Sequence, residues 1–230
     1  MRYSAVAFDL DGTLYPSCSL YRHAWPIILP GARRFGAFGA VRRSLRERAE
    51  SADYRRAMTA SGDASARTAF RKYQAELTAE RLGEDPAEIE AFLDARYYRG
   101  VDEVFARIEP YRGLVETLTA LREGGLRLAL LSDFPPRRKL ELLGLSGYFE
   151  AALCSEDSGF LKPAAEPFAA LASALGLPAD RILYVGNSRA YDVAGAKAAG
   201  MGAALRGRSA SVDADLRFTD WRALADFALR

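Results

Sequence analysis

Residues 3–13 read YSAVAFDLDGT: six almost wholly apolar residues, then two aspartates flanking a leucine, a glycine and a threonine. A short, continuous apolar run that stops at turn-forming residues is the pattern of a strand buried on both faces. Similar runs recur at 126–131, 151–154, 182–185 and 203–205, with a last short one at 215–218. Between them, large apolar residues return at helical spacing. Leu114, Leu118 and Leu121 form one such face, and Leu140, Leu142 and Leu143 another that Gly144 closes. Phe168, Leu171 and Leu175 make a third, closed by Gly176 and Pro178, and Trp221, Leu224 and Phe227 a terminal one from about Asp220. Strands alternating with helices predict an α/β fold: a Rossmann-like parallel sheet with helices on both faces.

The stretch 16–108 breaks this rhythm. It contains no convincing strand, is rich in Arg, Ala, Glu and Tyr, and carries helix-like segments at 40–56, 64–82 and 86–98. Asp85 before Pro86 is a strong helix start. The expected organisation is an α/β core of residues 1–15 and 109–230 with a helical domain, 16–108, inserted after the first strand.

Composition narrows the class. Of 230 residues half are hydrophobic, enough for a sizeable core, and the formal net charge of +2 gives no pull toward nucleic acid. The two cysteines, Cys18 and Cys154, form no C-x-x-C pair and are expected as reduced thiols. No run approaches the roughly 20 apolar residues of a membrane span, and Asp9 and Asp11 interrupt the N-terminal apolar run, so no signal peptide is expected. These points together favour a cytoplasmic protein.

Open parallel sheets bind ligands outside the carboxyl ends of their strands. The polar residues just beyond the strand ends are Asp9 and Asp11, then Ser132 and Asp133, then Asn187, Ser188 and Asp192, with Lys162 joining from the loop 159–163. This cluster has no histidine or cysteine, so it suits a hard cation and an anionic ligand. A carboxylate can attack phosphorus and so divide hydrolysis into two easier steps. The charge on phosphate must be balanced, by Mg²⁺ and a lysine, and an acid must protonate the leaving oxygen. Asp11, two residues past Asp9, points to the same side of an extended chain. Gly12 permits a turn that presents N–H groups to phosphate, and Thr13 and Ser132 offer hydroxyls to the same oxygens.

In order, Asp9-Leu10-Asp11-Gly12-Thr13, Leu131-Ser132-Asp133, Lys162-Pro163 and Gly186-Asn187-Ser188 with Asp192-Val193-Ala194-Gly195 resemble the four motifs of the haloacid dehalogenase superfamily. The resemblance covers residues 1–15 and 109–210 and implies a phosphatase with a helical cap of the first type. By position it makes Asp9 the nucleophile, Asp11 the general acid/base and Lys162 the charge balance. Gly12, Thr13, Ser132 and Asp133 become the phosphate-binding set. Mg²⁺ would be held by Asp9, the main-chain carbonyl of Asp11 and Asn187, supported by Ser188 and Asp192. Asn187 departs from the family pattern, which commonly has an acid there, so Asp192 is the alternative carrier of the metal's charge.

The implied substrate is a small phosphorylated metabolite, a nucleotide or a sugar phosphate, with no nucleic-acid or membrane partner. The oligomeric state is not legible. A sugar phosphomutase, a 2-haloacid dehalogenase and a catalytically weakened phosphate-binding protein are the alternatives. The dehalogenases lack an acid at the position of Asp11, which favours phosphate. The lone His23 has no place in this chemistry and reads as structural or exposed. Arg33, Arg34, Arg42, Arg43, Arg46 and Arg48 read first as a solvated helix face, with an electrostatic funnel and a nucleic-acid patch as the other readings. Glu47, Glu50 and Asp53 dilute any such patch. Tyr15 and Pro16 come directly after the first motif, where the family's chain passes into its cap, and a similar Leu-Tyr-Pro run occurs in related nucleotidases.

Overall fold

In the computed structural model, which describes residues 1–59, 65–100, 102–208 and 213–230, the run after Ser4 pairs on both sides. In chain order the elements are β1 (Ala5–Phe8), α1 (Ser17–Ile28), α2 (Ala32–Glu47), α3 (Ala52–Thr59), α4 (Ala66–Leu82), α5 (Pro86–Leu93) and α6 (Asp102–Phe105). Next come α7 (Leu114–Glu123), β2 (Arg127–Ser132), α8 (Arg137–Leu142), β3 (Ala151–Cys154), α9 (Ala165–Leu175) and β4 (Ile182–Gly186). The chain ends with α10 (Ala194–Ala198), β5 (Gly202–Arg206), β6 (Leu216–Phe218) and α11 (Trp221–Ala228). The sheet is wholly parallel in the order β3-β2-β1-β4-β5-β6.

The period of two is visible in how the strands divide their side chains. Val6 and Phe8 of β1, Leu128 and Leu130 of β2, and Leu183 and Val185 of β4 pack with α7 and α11. Ala5 and Ala7, Ala129 and Leu131, and Ile182 and Tyr184 face the other way, onto Phe168, Leu171 and Leu175 of α9. These three central strands therefore need apolar residues on both faces, which is why their runs are continuous rather than alternating. Burying a side chain such as Phe168 stabilises the fold by about 1.5–3 kcal/mol. The last helix begins where Asp220 accepts from Arg222 N at 3.0 Å.

Between β1 and β2 the described chain is helical throughout, as expected for the insert, but its elements differ from the sequence reading. The expected helix at 40–56 is two helices. α2 starts earlier, at Ala32, and stops at Glu47, and α3 begins after Ser51, whose Oγ accepts from Tyr54 N at 3.3 Å. A serine that can cap competes with helix continuation, and that competition breaks the segment. α1 is absent from the sequence reading. Leu20, Ala24 and Ile27 do recur at helical spacing, but Pro26 lies inside and no residue is fully buried, so the signal is weak. α4 runs from Ala66, with Ser65 accepting from Thr68 N at 3.3 Å, whereas the expected first residue, Ala64, lies outside the described residues. Asp85 caps α5 through Ala87 N at 2.8 Å, and a π-helical turn, Asp94–Tyr98, completes the expected 86–98 segment.

The helical segment has a core of its own, Phe38, Ala75, Ala79, Ile89 and Leu93. A second cluster joins Val41, Leu45, Tyr54 and Phe70 to Phe160 and Leu161 of the loop before α9. The two crossings between segment and sheet lie side by side: Tyr111 N donates to Leu14 O at 2.9 Å, and Tyr15 meets Phe105 edge-on at 5.3 Å. His23 is half-buried on α1, 3.4 Å from Arg22. Cys18 and Cys154 are both free. Among the described residues no helix is long and apolar enough to cross a membrane.

Candidate active site

β1 lies at the centre of the sheet, between β2 and β4, and the chain leaves it in one direction and returns in the other. The crevice at the carboxyl end of such a switch point is open to side chains from three strands. Asp9 is the first residue beyond β1, and its N–H donates to Val185 O at 2.9 Å, so the strand ladder itself fixes it. The residue is 6 % exposed. Lys162 donates to its Oδ1 at 2.8 Å and Thr13 Oγ1 to its Oδ2 at 2.7 Å.

Lys162 is the hub. Its ammonium also donates to Asp192 Oδ1 at 2.7 Å and to the Tyr184 hydroxyl at 2.9 Å, which uses its three protons. Burial opposes the charge on Lys162, but Asp192 and Asp9 outweigh it and hold its pKa well above the usual value. Burial likewise pushes the Asp9 carboxyl up to about 7, against the pull of Lys162 and with Asp192 and Asp11 adding to the rise. Asp192 is anchored from behind by the N–H groups of Asn187 (3.1 Å) and Ser188 (2.9 Å), both on Oδ2. Ser188 caps the turn after β4, accepting from Tyr191 N at 3.2 Å.

Asp11 stands apart from this buried chain. Lys139 of α8 reaches both its oxygens at 2.8 Å, the Tyr15 hydroxyl donates to Oδ1, and Ser132 Oγ is 3.4 Å from Oδ2. Two aspartates two residues apart thus each pair with a lysine but occupy unlike environments, Asp9 buried and Asp11 facing a cavity. Gly12 between them has φ +89, and a Cβ there would strike the Asn187 amide and the Ser17 hydroxyl. Only glycine lets the turn and Asn187 come so close.

Of the expected site residues, Asp9, Thr13, Lys162 and Asp192 form one hydrogen-bonded chain. Asp11 and Ser132 form a second group, and Gly12 and Asn187 lie against each other. Asp133, expected among the phosphate-binding residues, is engaged elsewhere. Its Oδ2 accepts from Arg46 at 2.7 Å and its Oδ1 from Lys162 N at 3.2 Å, so it ties α2 to the core. Burial opposes its charge, but Lys162, Arg46 and Arg42 together lower its pKa.

The arginine reading is corrected with it. Arg42 is 4 % exposed, donating to Glu156 at 2.7 Å, Gln74 at 2.9 Å and Asp133 O at 2.8 Å. Arg46 is half-buried, while Arg33, Arg43 and Arg48 do lie on the solvated face. The sequence reading missed Lys139, Tyr184 and Glu156. Tyr184 had a signal, as the one hydroxyl in the aliphatic run of β4. Lys139 had little, being one of three consecutive basic residues.

The oxygen donors at the strand end are the Asp9 carboxylate, the Asp11 main chain and the Asn187 amide. Among the described residues no three His, Cys, Asp or Glu side chains group as a metal cluster. One carboxylate with neutral oxygens fits Mg²⁺, which usually keeps several waters and takes one or two carboxylates.

A family model described as haloacid dehalogenase-like hydrolase matches residues 3–200. The chain is 30 % identical over 214 residues to a glyceraldehyde 3-phosphate phosphatase of Methanopyrus kandleri, covering 86 % of this chain and 81 % of that one. It is 31 % identical over 212 residues to a phosphoglycolate phosphatase of Salmonella paratyphi A, covering 85 % and 77 %. The magnesium-bound HAD-hydrolase YfnB of Bacillus subtilis has the same fold, with a TM-score of 0.69 at 18 % identity over 99 % of each chain.

Proposed function

The chain belongs to the haloacid dehalogenase-like hydrolases, on their phosphatase side, and from that premise we propose that it hydrolyses an organic phosphate monoester through an aspartyl-phosphate on Asp9, with Mg²⁺. The observation that carries the proposal is the contrast between the two aspartates. Asp9 is sealed against Lys162 and Thr13, while Asp11 lines the cavity that a leaving group would enter.

Residues 16–108 act as the cap over this centre, and residues 1–15 and 109–230 form the core. A carboxylate oxygen of Asp9 attacks phosphorus as the ester P–O bond breaks, and the departing oxygen takes the proton of Asp11. Water then gives a proton back to Asp11 while its oxygen attacks phosphorus, releasing inorganic phosphate and restoring Asp9. Lys162 balances charge at the phosphoryl group, and the Gly12 turn, Thr13 and Ser132 orient it. Asp192 holds Lys162 in place. Asp9, the Asp11 carbonyl and Asn187 would hold Mg²⁺, which when bound supplies further positive charge at the phosphoryl oxygens.

The test is phosphate release from a panel of esters by wild type and Asp9→Asn. Turnover in the wild type and none in a folded Asp9→Asn protein is expected, because a neutral amide cannot form the phospho-enzyme. Near wild-type activity in that variant would sink the mechanism.

A further inference from the structure

A cavity of about 510 Å³ opens directly from Asp11. Its volume lies in the range of roughly 300–1,000 Å³ typical of small-molecule sites. Its walls come from α1 (Leu20, Ala24, Ile27), from α2 (Phe35, Phe38) and from Phe134 beyond β2. Tyr97 links the aromatic wall, with ring centroids 4.9 Å from Phe38, 4.9 Å from Phe134 and 6.0 Å from Phe35.

The buried charged groups on this wall are already spent. Arg42 is consumed by Glu156, Gln74 and the Asp133 carbonyl, and Lys139 by Asp11. Arg96, exposed, is the one charged lining residue without a partner among the described residues. A sugar or a hydroxy-acid placed deep in this space would bury hydroxyls with few groups to receive them, which is unfavourable.

The wall also contains two helix-interior glycines. Gly36 and Gly39 sit in the middle of α2, where glycine is the poorest helix former after proline. A Cβ at Gly36 would meet nothing within 4 Å, and at Gly39 only Arg43 at 4.0 Å. No close packing demands glycine at either position. What their small size achieves is an open cavity wall.

Resting on the phosphatase reading above, we propose that the alcohol portion of the substrate is a bulky apolar group, a long alkyl or aralkyl chain. It seats between α1, α2 and Phe134, with the ester oxygen beside Asp11. Phosphoryl transfer to Asp9 and then to water is unchanged; the cavity selects the leaving group by burying its hydrocarbon surface.

The test is kcat/KM for ethyl, butyl, hexyl and 4-phenylbutyl phosphate, whose leaving alcohols are of nearly equal acidity, with phosphoglycolate alongside. Values should rise about two- to fourfold per added methylene until the space is filled, so that hexyl exceeds ethyl by at least about tenfold. In Gly36→Leu and Gly39→Leu the hexyl-to-ethyl ratio should collapse toward unity. A flat alkyl series, or phosphoglycolate ahead of every alkyl ester, overturns the inference and leaves the phosphatase reading standing. If no ester, 4-nitrophenyl phosphate included, releases phosphate, the phosphatase reading fails. The cavity is then decided by calorimetry with hexylphosphonate and methylphosphonate. Tighter binding of the hexyl compound, lost in Gly39→Leu, supports the apolar site, and equal binding of the two overturns it.

Discussion

Asp11 is held at once by Lys139, Tyr15 and Ser132, and this restraint fixes a carboxyl at the edge of the apolar cavity. As the proton carrier, it should matter most where the leaving oxygen is most basic. Asp11→Asn is expected to slow alkyl phosphate turnover by about a hundredfold or more, the usual weight of general acid–base catalysis, and aryl phosphate turnover less. Steady-state rates on one alkyl and one aryl ester check this, and equal losses would remove Asp11 from the role. Asn187 supplies a neutral oxygen where a carboxylate would add charge. Asn187→Asp should therefore strengthen Mg²⁺ binding by about 1–2 kcal/mol, roughly tenfold in the half-saturating concentration. Coincident Mg²⁺ titrations of the two proteins would exclude Asn187 as a ligand. Asp9, Asp11, Lys162 and Asp192 were legible in the sequence because each lies beyond a strand at fixed spacing. The pairing of Asp133 with Arg46 was not legible, because the two lie 87 residues apart on different elements, a contact that spacing cannot report.

At the scale of elements, α2 is the junction between the helical segment and the sheet. Arg42 and Glu156 form a pair that is 4 % and 0 % exposed, and Arg71 and Tyr98 also reach Glu156. Removing Arg42 leaves buried Glu156 with only Arg71 and the Tyr98 hydroxyl, so Arg42→Met should lower unfolding free energy by about 3 kcal/mol, the lower end for a broken buried pair. Denaturant unfolding measures it, and adding Glu156→Gln to the same protein should restore part of the loss. Asp133 gives the junction its pH dependence. Its folded pKa lies below the ordinary 3.8, so the stability it supplies is complete above that value and disappears as pH falls through the folded one. Asp133→Asn should then cost about 2 kcal/mol at neutral pH, as for a hydrogen-bonded charge, and progressively less as pH falls below 3.8. A pH-independent difference between the two proteins would contradict this. The sequence read these arginines as a solvated face because a charge run on a helix is usually that. Burial there depends on the loop after β3, whose position only the folded sheet determines.

For the whole molecule, the parallel sheet with helices on both faces was legible because its central strands need two apolar faces, and that demand writes a continuous run into the sequence. The helical character of the stretch between β1 and β2 was legible as a lapse in that rhythm. Its internal layout was not, since short helices with prolines, glycines and capping serines are arranged by contacts with one another and with the core. The α/β frame carries Asp9 just past the central strand, Lys162 on a distant loop and Asp192 beyond another strand, and brings their side chains to within hydrogen-bonding distance. That convergence is the basis for assigning covalent chemistry to Asp9. The most direct measurement is to mix enzyme in excess with substrate and Mg²⁺, quench in acid within one turnover, and sequence the proteolytic peptides by mass spectrometry. The account predicts one phosphoryl group on Asp9, in the peptide that contains residues 3–13, and none in Asp9→Asn. A phosphoryl group on any other residue, or product formed at full rate with no phosphorylated peptide at any quench time, would contradict it.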